Sequence, residues 1–252
     1  MIVYEYPLHE RVRLYMRVDH MSKRLAELLT RQTALDHHFA LQTLFEIVDI
    51  CDSRTDLKSE ILKELERYRQ TTLAFRGYAG VDERVMDALL ERIGHCYSHL
   101  SAQMGKLSHE FNSNEWLTSV RSRINIPAGT CEFDHPSYHA WAHSAVSQRQ
   151  ADLIAWTAPL QPILSSVTLI MQLLRDTGMP QKVMAQGGIY QQSLTQTKPY
   201  QLLRLMIEPS MQLVPEISGN RLMVTVRLMR KEGDKLLHAG NVQAGFELAL
   251  CA

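Results

Sequence analysis

The chain has 252 residues, with 27 Lys and Arg against 27 Asp and Glu, so its formal net charge is zero. That length can bury a substantial core, and 45% hydrophobic with 21% charged residues is the balance of an ordinary folded protein. A neutral chain carries no global field for nucleic acid or an anionic membrane, so neither is an expected partner and any basic surface must be local.

The opening IVYEY alternates as a strand does, and residues 1–6 are expected to join a sheet formed by later strands. No positively charged, then apolar leader precedes it, and no run of about 18 apolar residues suggests a membrane span, so the expected location is cytoplasmic without membrane insertion. After Pro7, the segment LHERVRLYMRVDHMSKRLAELLT predicts a long helix with Leu14, Val18, Met21, Leu25 and Leu28 as its apolar seam. Further helices are expected at 36–51, 56–75 (capped by Thr55), 82–103 (capped by Asp82), 136–157 and 159–176, the last closed by Gly178. From about residue 181 the pattern changes to short alternating runs broken by Gly, Pro and Asn. RLMVTVRLM predicts a strand with Leu222, Val224, Val226 and Leu228 on a core face and Arg221, Met223, Thr225 and Arg227 on a basic one. KEGDKLLHAGN reads as a hairpin connection to a returning strand VQAGFELALC, with QLLRLMIEP and IVYEY as partners in the same sheet. The expected fold class is α+β. A mainly helical bundle domain, residues 1–178, packs with a smaller, mainly antiparallel β domain, residues 179–252.

The stretch CEFDHPSYHAWAH gathers Cys131, Glu132, Asp134, His135, His139 and His143 in thirteen positions, and His139 and His143 share a helix face. A metal-dependent hydrolase centred on Cys131, His135, His139 and His143 is therefore one reading. Against it, structural zinc sites pair their ligands as CxxC, and HAWAH lacks the glutamate that follows the first histidine of an HExxH metalloprotease. The four cysteines Cys51, Cys96, Cys131 and Cys251 form no CxxC pair, so free thiols are expected rather than a disulfide framework. His95 and His99 in GHCYSHL also stand four apart, on a polar face where histidines are usually solvated. Phosphate loops of the GxxxxGK[ST] and GxGxxG types and a GxSxG nucleophile elbow are absent. The expectation is a protein without catalytic residues, metal or cofactor, with Trp141 and Phe133 in the core.

Arginine is what gathers locally. Arg13, Arg17, His20 and Arg24 line the first helix beside its seam, Arg54, Arg121 and Arg123 follow, and Arg221 and Arg227 lie on the predicted strand. A single such stripe reads as a solvated face with acidic neighbours, whereas several together suit an acidic or carboxylate-bearing peptide. A generic adaptor for such a peptide fits the residues alone.

Taken in order, YEYPLHERVR, SEILKELER, AGVDERV, VRSRINIPAGTCEFDHPSYHAWAH, YQLLRL, PEISG and FELALC resemble the bacterial cell-division family ZapD, also called YacF, over essentially the whole chain. The most specific element is the pattern RxRxxIPxGxCxFDxPxxHxWxH. The resemblance implies a homodimer that binds the C-terminal tail of FtsZ, a short flexible peptide with acidic and apolar residues. It also implies that the dimer crosslinks FtsZ protofilaments into bundles, stabilising the ring at the division septum, with recruitment to mid-cell. Arg17, Arg54, His139 and Arg227 match the family's basic pocket for that tail, and Arg121, Arg123 and Arg221 form a second set. Met223 stands where relatives carry another arginine, so Arg221 is the candidate substitute there.

Overall fold

A computed structural model describes residues 1–53, 56–103, 105, 111–195 and 199–252. Its architecture is α+β, with helices in the N-terminal part, antiparallel strands in the C-terminal part, and the first strand inserted into one of the sheets. Contacts divide it into two compact units, one of residues 1–16 with 171–252 and the other of residues 17–170.

The helical elements are α1 (Glu10–Thr30), α2 (Ala34–Asp52), α3 (Leu57–Leu73), α4 (Glu83–Ala102), α5 (Glu115–Arg123), α6 (Pro136–Ala142), α7 (Val146–Thr157) and α8 (Gln161–Asp176), with a 3-10 turn, Ala158–Leu160, between the last two. The predicted seams are mostly the buried ones, although Met21 and Leu28 of α1 stay part-exposed. Leu14, Val18 and Leu25 of α1, Leu41, Leu44 and Val48 of α2, and Ile61 and Leu65 of α3 lie inside. Asp82 caps α4, its Oδ1 accepting from the amide of Arg84 at 2.9 Å, which satisfies a donor that the first helical turn leaves unpaired. Thr55, the expected cap of α3, lies outside the described residues. One helix, α5, was not expected. Its start is marked by Asn114, whose Oδ1 accepts from the Leu117 amide at 3.0 Å.

The predicted helix 136–157 is two helices, α6 and α7, broken at residues 143–145. The cause is Arg149, which is buried and needs acceptors. Its guanidinium donates to the carbonyl oxygens of Ser144, of Ala142 at 3.2 Å and of Gln32 at 2.9 Å, and its Nε–H donates to His37 Nδ1 at 2.9 Å. A continuous helix would have committed the Ala142 and Ser144 carbonyls to its own amides. The stretch Val146–Asp176 has the length and hydropathy of a membrane span, but half of it is buried in the protein, as in a core helix.

Among the described residues eight strands form two sheets: β1 (Ile2–Pro7), β2 (Gln181–Ala185), β3 (Ile189–Ser193), β4 (Leu202–Ile207), β5 (Leu213–Gly219), β6 (Met223–Glu232), β7 (Lys235–His238) and β8 (Ala244–Cys251). One sheet runs β1-β4-β8-β2; the other runs β3-β6-β5, with β7 also paired to β6. The single sheet expected from the sequence is therefore two. β6 turns back into β7 through Gly233, which adopts φ +59°, and β8 then pairs with β4 and β2 instead of β6. Their inward faces share one core that includes Leu203, Leu205, Val224, Val226, Phe246 and Leu248. Glu5 of β1 takes a two-point bond from Arg175 of α8, at 2.9 Å to each carboxylate oxygen, and a further bond from Arg204 of β4 at 3.0 Å.

Candidate partner-binding site

On α1, burial of Val18 turns Arg17 and His20 to solvent, and neither makes a hydrogen bond or ion pair among the described residues. The neighbouring arginines are engaged: Arg13 bonds Glu10 at 3.1 Å and lies over the Tyr6 ring, and Arg24 pairs with Glu46 of α2. Arg121, near the end of α5, bonds Asp49 of α2, while Arg123 makes a longer ion pair with Asp134 at 3.7 Å, beyond hydrogen-bond distance. Thus α1 and α5 are each tied to α2 by an ion pair. Arg54 lies outside the described residues.

The segment from Arg121 to His143 is one local assembly. His135 is buried and caps α6: its Nδ1 accepts from the Tyr138 amide at 3.2 Å, and its Nε2 bonds Ser119 Oγ of α5 at 3.1 Å. Pro136 then occupies the first helical turn, where a missing N–H costs nothing. His139 and His143 are exposed, their ring centroids 4.2 Å apart, and His143 Nδ1 bonds the His139 carbonyl at 2.9 Å. Among the described residues no three His, Cys, Asp or Glu side chains converge to hold a metal ion. Trp141 is in the core, packed with Trp116 of α5 at 5.4 Å and Trp156 of α7 at 5.8 Å between ring centroids. Its indole N–H donates to Asp152 at 3.0 Å. Phe133 is not core. It is 78% exposed, carried outward by the turn that precedes α6, a placement that its hydrophobicity alone did not reveal.

In the other compact unit, Arg227 projects from β6 between the buried Val226 and Leu228, opposite Ile189 of β3 and Glu216 of β5 in register, and it too has no hydrogen bond or ion pair among the described residues. Arg221 does not share that face. It lies in the bend before β6, where Asn220 Oδ1 accepts from the amides of Leu222 and Met223 at 2.8 and 3.0 Å. Leu222, expected in the core, is 56% exposed for the same reason: the strand begins one residue later.

A sequence model of the ZapD family, described as a cell division protein, matches residues 16–227. The chain is also 42% identical, over the full length of both, to the cell division protein ZapD of Janthinobacterium sp. (strain Marseille). The chain belongs to the ZapD family of cell division proteins. The span matched by the ZapD model holds all seven candidate residues, Arg17, Arg54, Arg121, Arg123, His139, Arg221 and Arg227.

Membership of the ZapD family assigns the chain a part in cell division. What its candidate residues can do chemically is recognise carboxylates. A guanidinium with no internal partner offers a planar fork of donors that fits a carboxylate by two bonds, and the ordered elements beneath hold it ready. Beside His139, burial pushes the Tyr138 hydroxyl up to about 12 and lowers His38 from its usual range. The neutral phenol therefore donates to the neutral His38 Nδ1 at 2.8 Å, joining α6 to α2 without a net charge.

Proposed function

We propose that this chain binds the C-terminal tail of FtsZ and, as a cytoplasmic homodimer drawn to mid-cell, crosslinks FtsZ protofilaments. Membership of the ZapD family supports the division role. The observation that carries the binding reading is that Arg17 and Arg227 are exposed guanidiniums with no hydrogen bond or ion pair among the described residues. Each stands on a regular element backed by fully buried side chains, Val18 in one case and Val226 with Leu228 in the other. Arg54 and His139 complete the main set, with Arg121, Arg123 and Arg221 as the second.

In this reading the arginines take the carboxylates of the tail and its apolar side chains seat beside them. Ordering a flexible peptide costs free energy, so each contact is weak by itself. A filament presents many tails and a dimer engages two, so avidity and bundling both follow from valence. The mechanism uses no nucleotide, metal or covalent step.

The test is sedimentation of polymerised FtsZ, with and without its tail, in the presence of this protein. Co-pelleting only with tailed FtsZ is the expected result, and it should weaken steeply with salt because exposed charges are screened over roughly 8–10 Å near physiological ionic strength. Arg17→Glu or Arg227→Glu should abolish binding with helical content unchanged. Equal pelleting with tailless FtsZ would sink the proposal.

A further inference from the structure

The hairpin of α3 and α4 carries an uncovered apolar surface at its tip. Phe75 is 55%, Tyr78 66% and Val85 66% exposed, and the Phe75 and Tyr78 rings pack edge-on with centroids 6.2 Å apart. Beside them a groove of about 370 Å³ is lined by Thr71, Phe75, Val81, Val85 and Leu89, among others. The tip is tied down: the Gly77 amide donates to Glu83 at 2.9 Å, Arg76 bonds Asp87 and stands 3.9 Å from Glu83, and Asp82 caps α4. Contiguous apolar exposure of this kind marks a contact surface.

The charges on α4 decide what covers it. Arg84, Ala88 and Glu91 recur at helical spacing, so they share one face, and all three are exposed. Val85 stands next to Arg84 and one turn before Ala88 and Leu89, so the groove borders that face. Neither the Arg84 nor the Glu91 side chain has a hydrogen bond or ion pair among the described residues. Two helical turns, about 10 Å, separate them, so they cannot pair with each other along the helix. The neighbouring acids Glu83 and Asp87 are already met by Arg76, and Arg92 is engaged within its own chain. Turned end for end, α4 sets Arg84 opposite Glu91 and Glu91 opposite Arg84, with the small Ala88 near the axis, where it lets two helices approach closely. A two-fold contact requires a patch that is its own complement, and this one is. A peptide of either sign would meet one like charge here.

We infer that the partner of this surface is a second copy of the chain. Two α4 helices pair antiparallel about Ala88, Arg84 of each bonding Glu91 of the other, with Val85 and the groove beside Phe75 covered at the flank. The inference rests on the homodimer reading above and names its face.

The test is sedimentation velocity of the full chain over a concentration series, with far-UV circular dichroism to follow helical content. The wild type should dimerise. Arg84→Glu and Glu91→Arg should each raise the dimer dissociation constant at least about ten-fold, because the symmetry repeats every like-charge contact. Arg84→Glu places an acid in the first turn of α4, where the helix favours it, so helical content should hold. The two changes together restore the charge order and should return the constant to within about three-fold of wild type, a rescue that damage to the fold would not give. A wild-type dimer that neither single change weakens overturns this inference alone, and so does weakening without rescue. A wild type that stays monomeric removes the homodimer reading together with this one.

Discussion

His38 shows how a single residue senses its surroundings. Its ring packs edge-on against Phe39 at 5.6 Å and Tyr138 at 5.8 Å, and burial disfavours its charged form, so its pKa in the folded chain is lowered from 6.5. The unfolded chain therefore takes up this proton at a higher pH than the folded chain does. The stability contributed by neutral His38 is present above about pH 6.5 and is lost as pH falls through the lowered folded value. Melting temperatures measured between pH 7 and pH 5 should fall, and His38→Gln should flatten that dependence; an identical slope in the variant would show that other groups set it. The same scale accounts for His135. Its Nδ1 accepts from the Tyr138 amide and its Nε2 bonds Ser119, so the ring caps α6 and ties it to α5, and no residue count along the chain reveals that.

Among the elements, the break between α6 and α7 depends most clearly on one side chain. Arg149 is 5% exposed and has no carboxylate partner among the described residues; backbone carbonyls and His37 satisfy it instead. Arg149→Met fills similar space but orphans those carbonyls. Urea denaturation should show a loss of about 3 kcal/mol, the combined cost of several unpaired buried acceptors, and a loss under about 1 kcal/mol would mean that water replaces the guanidinium. Helix identity was legible because apolar spacing survives whatever the neighbours do: the seams of α1, α2 and α3 read correctly from period alone. The break was not, since Arg149 reads as an ordinary polar-face residue until Gln32, from a distant loop, is brought to it.

For the whole molecule, bundling by valence makes a separable prediction. A variant that sedimentation shows to be monomeric, with Arg17 and Arg227 intact, should bind tail peptide with near wild-type affinity, yet electron microscopy of FtsZ polymers should show no bundles. Bundles formed by a proven monomer would require two sites on one chain. The α4 face of Arg84, Ala88 and Glu91 is the surface to vary, with the part-exposed Met21 and Leu28 of α1 as controls.

By itself the sequence determined the α+β class, the order of helices and strands, the cap at Asp82 and the family, because period, capping chemistry and a specific motif are local properties of the chain. Only tertiary structure decided that the strands form two sheets, that Phe133 faces water while Trp141 does not, that Arg221 sits off the face of Arg227, and that Arg24 and Arg121 are paired while Arg17 has no partner among the described residues. For Arg221 and Phe133 the reason is local, the Asn220 cap and the turn before α6; for the sheets and the ion pairs it is long-range. Strand partners and charge neutralisation depend on groups far apart in the chain, Glu46 for Arg24 and Asp49 for Arg121, and these come within reach only when the elements pack.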